Sequence, residues 1–206
     1  DMQEILRIAK KYDLVVIEDA AEAHGASYNL DRSNPKSWTR CGSLTEMSTF
    51  SFFANKLITS GEGGMVLTDN FEFFSNLVAI RNLGFSKERS YLHRQEGLQL
   101  RLSSMQAALA VRQIPRMPEI LMKKKRILEY YQSGLSGLES VSLLKQKDWA
   151  QSSNWVVPIK VNPKRKTVVV LREELLKQGI ETRPLFHGMH AQPIYSKFEF
   201  TQKRRF

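Results

Sequence analysis

A short apolar run that ends abruptly in two acidic residues most constrains how this chain folds. Residues 14–17 read Leu-Val-Val-Ile, a pattern typical of a strand buried in a parallel sheet. Glu18 and Asp19 follow the run at once, and open α/β sheets bind their ligands at the carboxyl ends of such strands. The run therefore predicts an α/β fold with a carboxylate at the ligand-binding edge of its sheet.

The rest of the chain alternates between helical and strand-like periodicity, with turn residues between the segments. We expect helices over residues 1–12, 70–82, 103–110, 119–131 and 168–177, and strands over 14–17, 47–53, 65–68, 155–161 and 180–183. Residues 29–43 are polar and rich in turn formers, which predicts a surface loop. The sequence thus predicts a central, mostly parallel sheet in residues 1–120 and a smaller α+β domain in 121–206.

Composition narrows the class of protein. Hydrophobic residues make up 42% and charged residues 25%, which is ordinary for a globular domain. The sequence contains no apolar run of about 18 residues that could cross a membrane. Cys41 is the single cysteine, so no internal disulfide forms, which fits a reducing compartment and favours the cytoplasm. The histidines and Cys41 lack the spacing of metal ligands, so we expect no metal site.

The chain is basic, with a formal net charge of +10, which favours anionic partners such as phosphorylated ligands or nucleic acid. One basic cluster, residues 123–126, falls in a predicted helix, where it is more simply a solvated face. A second cluster is Lys203-Arg204-Arg205. No sequence signature of a nucleic-acid-binding module accompanies the charge, so a nucleic-acid partner is not favoured.

Asp19 and Lys56 form a pair with a specific chemistry. Taken alone, Asp19 is more often a helix cap and Lys56 a surface residue. Taken together, a lysine amine forms a Schiff base with an aldehyde cofactor, and a carboxylate keeps the pyridine nitrogen of that cofactor protonated. Ser51 lies at the end of the strand before Lys56 and can donate its hydroxyl to a cofactor phosphate. Residues 61–64, Gly-Glu-Gly-Gly, offer backbone N–H groups to the same anion.

Five ordered segments resemble the DegT/DnrJ/EryC1/StrS sugar aminotransferases. Residues 16–25 (Val-Ile-Glu-Asp-Ala-Ala-Glu-Ala-His-Gly) are similar to the aspartate motif of that family, and residues 50–56 (Phe-Ser-Phe-Phe-Ala-Asn-Lys) with 61–64 to its lysine motif. Later family segments are similar to residues 81–84, 101–108 and 179–195. The resemblance covers almost the whole chain in order, and its Arg-Pro-Leu-Phe segment is most similar to the perosamine-synthase-like branch.

The resemblance implies a fold-type-I transferase that works as a homodimer with pyridoxal 5'-phosphate (PLP). Members transfer an amino group, commonly from glutamate, to a keto group of a nucleotide-linked sugar, and the branch implies the C4 position of a deoxy sugar. Lys56 is then the Schiff-base lysine and proton shuttle, Asp19 the partner of the pyridine nitrogen and Ser51 a phosphate ligand. Glu22 lies near the ring. Because Lys56 is present, transamination is favoured over the dehydratase reaction of relatives with histidine there.

The resemblance also implies residues farther along the chain. Arg101 belongs to a segment that reaches the cofactor site of the neighbouring subunit, although Gln99 replaces the usual asparagine before it. Arg183 and His190 line the sugar-nucleotide site. His24 receives the ordinary interpretation of a packed or surface histidine.

The family pattern is longer than this chain. It includes an upstream Gly-Thr-x-Ala-like segment that binds the cofactor phosphate, and nothing similar precedes Asp19. The resemblance implies that roughly the first third to half, and a C-terminal part of the small domain, lie outside the chain. We therefore expect the chain alone to be weakly active or inactive. The alternative is a catalytically inactive relative that serves as a binding or regulatory subunit.

Overall fold

The computed structural model describes residues 1–85 and 91–197, which form two compact units. The first comprises residues 1–134 and 145–157, and the second comprises 135–144 and the residues from Pro158 onward. The first unit thus continues past the boundary predicted near residue 120, because the long helix there belongs to it throughout. That these units correspond to the large and small domains of the resembled family stays a prediction.

The predicted helices are all present. Each begins after a side chain that accepts a backbone N–H or at a proline-containing turn, as the start signals indicate. Asp1 caps the first helix, Asn70 the second, and Ser103 forms a capping box with Gln106. The helices are α1 (Met2–Lys11), α2 (Phe71–Arg81), α3 (Ser104–Gln113), α4 (Met117–Gly134) and α5 (Val168–Lys177). Short 3-10 helices span Ile114–Arg116, Met189–Ala191 and Pro193–Tyr195.

The described strands are short and form three sheets. In chain order they are β1 (Ile17–Asp19), β2 (Ser27–Asn29), β3 (Trp38–Arg40), β4 (Met47–Ser51), β5 (Gly64–Leu67), β6 (Val141–Leu143), β7 (Ala150–Gln151) and β8 (Ile159–Val161). The first unit holds the sheets β1-β4-β5 and β3-β2-β7, and the second unit pairs β6 with β8. Strand β1 is parallel to β4, whereas β5 is antiparallel to it. The α/β class is confirmed, but this sheet is mixed rather than mostly parallel.

Two predicted strands and one predicted loop differ from the structure. Only Ile17 of the apolar run 14–17 enters β1, and the run is not buried, since Leu14 is 56% exposed and Ile17 58% exposed. Residues 29–43 contain β3, which pairs with β2. Residues 180–183 form no strand in the described chain, and they have no neighbouring strand to supply their hydrogen bonds. Apolar runs and turn residues are local signals, whereas strand pairing depends on distant segments.

The core of the first unit includes side chains of the loop that follows β4. Ala20 is 1% exposed, Ile58 is 2% exposed, and Phe52 and Leu57 are also buried. None of the helices in residues 1–85 and 91–197 combines the length and apolarity that crossing a bilayer requires. The same residues contain no cluster of three or more side chains suited to hold a metal ion.

Candidate active site

The carboxyl ends of β1 and β4 bring the two sequence motifs to one edge of the sheet. Asp19 lies opposite Thr49 in the parallel ladder, and the Thr49 carbonyl accepts a hydrogen bond from the backbone N–H of Ala20 at 2.9 Å. The Asp19 carboxylate accepts the backbone N–H of Ala21 at 3.1 Å, which closes a tight turn. Ser51 ends β4 at the same edge of the sheet, since parallel strands run in one direction.

The loop after β4 is fixed from both sides, which limits where Lys56 can lie. The Phe52 backbone N–H donates to the Gly63 carbonyl at 2.8 Å, and the Phe52 carbonyl accepts the Ser60 N–H at 2.9 Å. The Lys56 N–H donates to the Phe53 carbonyl at 2.9 Å, forming a turn within this closed loop. Leu57 and Ile58, which follow Lys56, are buried and anchor the C-terminal side of this turn.

The amine of Lys56 lies 2.7 Å from the Oε1 of Glu22. The Lys56 side chain is 11% exposed, whereas that of Glu22 is 40% exposed, so the pair is shielded on the lysine side. Glu22 stands three residues after Asp19. The contact therefore joins the aspartate motif to the lysine motif, although 34 positions separate the two residues.

Trp155 is a functional candidate that the sequence alone did not suggest. Its ring centroid lies 4.8 Å from the Lys56 Nζ, and its indole N–H donates to the Asn55 carbonyl at 2.7 Å. Trp155 comes 100 positions after Asn55, within a stretch where the sequence predicts a strand. No local pattern signals such a contact, because it depends on how the chain returns to the first unit.

His24 packs beside the same site without a hydrogen bond to either ring nitrogen. It is 5% exposed, and its ring lies 5.3 Å from that of Phe50 and 5.9 Å from that of Phe52. Burial, and secondarily the charge of Lys56, lower the pKa of His24, which favours the neutral imidazole. The interpretation of His24 as a packed histidine is confirmed.

Ser51, Arg101 and Arg183 each pair with a residue two positions away in the sequence. The Ser51 hydroxyl accepts the backbone N–H of Phe53 at 3.2 Å. The guanidinium Nε of Arg101 donates to the Gln99 side chain at 2.8 Å, at the exposed start of the segment before α3. In the second unit, Arg183 pairs with Glu181, and residues 189–191 form the 3-10 helix that carries His190. The Lys203-Arg204-Arg205 cluster lies outside the described residues.

Comparison with known proteins identifies the family. The family model described as "DegT/DnrJ/EryC1/StrS aminotransferase family" matches residues 1–206. The chain belongs to the DegT/DnrJ/EryC1/StrS aminotransferase family. GDP-perosamine synthase of Caulobacter vibrioides is 34% identical over 95% of this chain, and that of Escherichia coli O157:H7 is 32% identical over 96%. The chain spans about half the length of these curated relatives, 51% in both cases.

Solved structures of the family share the fold. Helicobacter pylori PseC, an aminotransferase of pseudoaminic acid biosynthesis, matches with a TM-score of 0.83 and 25% identity over 95% of this chain. Streptomyces venezuelae DesV in complex with a ketimine intermediate matches with a TM-score of 0.82 and 27% identity over 98%. The chain covers 52% of each of these structures. The architecture is therefore part of the PLP-dependent transferase fold.

PLP is the cofactor of this aminotransferase family, and the side chains at the sheet edge suit it. Lys56 is a shielded amine of the kind that would bind the aldehyde, and Asp19 is a carboxylate that would pair with the pyridine nitrogen. The Ser51 hydroxyl at the same edge would serve the phosphate. Ala21, two residues after Asp19, adds little side-chain bulk at this turn. The set of groups has the chemistry that PLP needs.

Proposed function

We propose that this chain forms part of a PLP-dependent enzyme that transfers an amino group from an amino acid to a keto group of a nucleotide-linked deoxy sugar. The observation that carries the proposal is the shielded Lys56 amine, 2.7 Å from Glu22 and beside the turn that begins at Asp19. We further propose glutamate as the donor, the C4 position as the acceptor, a homodimer as the assembly and the cytoplasm as the location.

The names of the relatives support a sugar substrate, and they favour C4 as the position that receives the amino group. Besides the two GDP-perosamine synthases, a Campylobacter jejuni relative, UDP-4-amino-4,6-dideoxy-N-acetyl-β-L-altrosamine transaminase, is 32% identical over 98% of this chain. A Streptomyces venezuelae relative named for a 3-amino sugar is also 32% identical, but over 69%. The more complete coverage by the 4-amino enzyme favours C4, and identification of the product decides the position.

Each residue at the sheet edge has a separate role in the proposed reaction. PLP, when bound, supplies an electron-accepting ring that stabilises negative charge on the carbon next to the transferred nitrogen. The Asp19 carboxylate holds the proton on the pyridine nitrogen, and the Ser51 hydroxyl donates to the phosphate. Lys56 binds the aldehyde carbon and then, as a free amine, moves a proton at the reacting carbon. Glu22 accepts a hydrogen bond from that amine.

The first experiment tests Lys56 as the attachment point. Purified protein is mixed with PLP, reduced with borohydride and digested, and the cofactor label is located by mass spectrometry. We expect the label on Lys56 and its loss in Lys56→Arg, with Lys123→Arg as the matched control in an exposed lysine of α4. A label spread over surface lysines according to their exposure would overturn the proposal.

A second experiment tests the substrate. Glutamate and a nucleotide-linked 4-keto-6-deoxy sugar are added to the PLP-loaded protein, and the sugar product is identified by nuclear magnetic resonance. We expect a 4-amino sugar, formed at the low rate that fits the weak activity expected of the chain alone, and its loss in Lys56→Arg. Binding of the nucleotide sugar without any uptake of PLP at Lys56 would instead favour the inactive, regulatory relative.

A further inference from the structure

We propose that Gln113, the last residue of α3, is a positioning residue that keeps the lysine loop closed. The lysine loop is defined as residues 52–63, which lie between β4 and β5 and include Lys56. The inference rests on the proposed function, in that Lys56 is the amine that must meet the cofactor. It assigns a role to a residue that lies outside both cofactor motifs.

The side-chain amide of Gln113 pairs with the backbone of Thr59 through two hydrogen bonds. Its Nε2 donates to the Thr59 carbonyl at 2.5 Å, and its Oε1 accepts the Thr59 N–H at 3.2 Å. The same Nε2 also donates to the Leu109 carbonyl at 3.3 Å, one turn earlier in α3. Both polar atoms of the amide are therefore in use, and Gln113 gives Thr59 the paired contact that a neighbouring strand would otherwise supply.

Thr59 is the residue through which the lysine loop closes on itself. Its hydroxyl donates to the Phe52 carbonyl at 3.0 Å and accepts the Gly61 N–H at 2.9 Å. The Ser60 N–H donates to the same Phe52 carbonyl at 2.9 Å. Thr59 thus joins the first and last parts of the loop, and Lys56 lies between those parts in the sequence. A side chain that fixes the Thr59 backbone therefore fixes the closed loop.

Helix α3 gives this amide a firm base. Ala110 lies three residues before Gln113, hence on the same side of the helix, and is 4% exposed. Ser103 and Gln106 form the capping box that begins the helix. The helix is thus held at its start and packed near its end, so the Gln113 amide is presented to Thr59 from a fixed direction.

Leu102, just before α3, contacts the other end of the same part of the loop. A Cβ added to Gly63 would lie 2.4 Å from the Leu102 Cδ1, which is well inside the separation of about 3.5–4.0 Å at which carbon atoms pack. Leu102 therefore packs directly on the Gly63 backbone. The segment 102–113 contacts the returning part of the lysine loop twice, at Thr59 and at Gly63.

The contact with Thr59 requires an amide of the length of glutamine. Asn and Gln carry a donor and an acceptor side by side in one plane, and asparagine is one methylene shorter. Loss of the amide leaves the half-buried N–H and carbonyl of Thr59 without these partners, which destabilises the closed loop. We expect the loop to open more often, and each opening releases Lys56 from its fixed place.

The test measures the opening of the loop without the cofactor. Amide hydrogen exchange is followed residue by residue in the wild type and in Gln113→Met, which keeps the side-chain length but has no amide. The readout is the exchange of the Lys56 and Ser60 N–H groups, which are hydrogen-bonded within the loop. We expect both to exchange about five- to thirty-fold faster in Gln113→Met, the effect of losing two ordinary hydrogen bonds.

Three further variants separate positioning from packing and from a general loss of stability. Gln113→Asn keeps the amide but shortens its reach, and it should give a similar rise; it decides the question if Gln113→Met does not fold. Gln132→Met alters an exposed glutamine of α4 and should exchange as the wild type does. Ser48→Ala removes a buried hydroxyl from β4, outside the loop. It should lower the stability measured with urea without speeding exchange in the loop.

An unchanged exchange rate in the folded Gln113 variants would overturn the inference, because packing alone would then hold the loop. A rise in Ser48→Ala that matches its loss of stability would also overturn it, because the loop would then open only when the whole unit unfolds. The proposed function fails separately, by the absence of PLP label on Lys56 of the wild type. The exchange measurement contains no cofactor, so its result stands in either case.

Discussion

The two compact units differ in what holds their predicted functional residues. In the first unit, Lys56 contacts residues 34 and nearly 100 positions away, over a core that includes Ile58 at 2% exposure. In the second unit, no described residue is buried, and Arg183, 83% exposed, pairs with Glu181 two positions before it. Covalent chemistry needs a group fixed in advance, whereas a group that binds a substrate can be ordered by the substrate itself.

The largest expected effect on stability is a substitution in the core next to Lys56, which tests whether that core is closely packed. Ile58→Ala should lower the free energy of unfolding by about 2–5 kcal/mol, because it opens a cavity in packed surroundings. Leu176→Ala in α5, where the leucine is 64% exposed, should change it by no more than about 0.5 kcal/mol. Denaturant unfolding followed by far-ultraviolet circular dichroism and tryptophan fluorescence measures both. Equal losses for the two variants would remove the contrast.

Fluorescence makes this measurement specific to one unit. Trp38, Trp149 and Trp155 all belong to the first unit, so the indole signal follows its unfolding. The circular dichroism signal includes α5 of the second unit. A Leu176→Ala effect seen by dichroism alone would place the change in the second unit.

The same contrast marks what the sequence could predict. Helix starts depend on neighbouring residues, and Asn70, Ser103 and Thr167 cap helices as their local patterns indicate. The resemblance implied that Glu22 lies near the cofactor ring, and Glu22 contacts Lys56, whereas a single cofactor shared by Asp19 and Lys56 stays a prediction. Such features are encoded within a few positions or within a family motif, so they can be predicted from the sequence alone.

Trp155 and β3 show why the rest could not be predicted. The apolar residues around Trp155 match a strand, but Asn154 adopts a left-handed conformation and the strand begins only at Ile159. Strand β3 forms because β2 lies beside it, and β2 is itself paired with β7 from far along the chain. Interactions between distant segments override local propensity in both places.

A smaller effect is expected at the buried hydroxyl that fixes the start of β4. Ser48 is 1% exposed, and its Oγ donates to the Gly42 carbonyl at 2.6 Å. Ser48→Ala leaves that carbonyl without its partner, which should cost about 1–3 kcal/mol of unfolding free energy. Ser43→Ala is the matched control, since the Ser43 hydroxyl makes a similar bond to a carbonyl on the exposed surface. A loss in the control as large as in Ser48→Ala would show that burial is not the cause.

His24 offers a test of the site that depends on pH. Burial, and secondarily the Lys56 charge, place the folded-state pKa of His24 below its ordinary value of 6.5. Above 6.5 both the folded and unfolded states carry the neutral ring, and its contribution to stability is complete. As the pH falls below 6.5, the unfolded state takes up the proton first, so stability declines until the folded-state pKa is passed. The change in unfolding free energy that His24 causes cannot exceed about 1.4 kcal/mol per pH unit.

The measurement compares urea unfolding of the wild type and His24→Phe between about pH 7 and pH 5, a window that begins just above the ordinary histidine pKa and extends below it. We expect a flatter pH dependence in His24→Phe. The exposed His187 provides the control, and His187→Gln should keep the wild-type slope. An unchanged slope in His24→Phe would mean that other groups cause the acid sensitivity.

The smallest effect on stability is expected where the second unit carries its predicted substrate residue. Arg183→Ala should change the free energy of unfolding by less than about 0.5 kcal/mol, because an exposed ion pair contributes little. The same variant should weaken binding of a nucleotide sugar measured by calorimetry, since a guanidinium is suited to phosphate. Glu181→Ala, which removes only the partner of Arg183, should leave both quantities nearly unchanged. A stability loss above about 1 kcal/mol in Arg183→Ala would mean that this arginine is structural, and the second unit would then resemble the first in how it holds its functional groups.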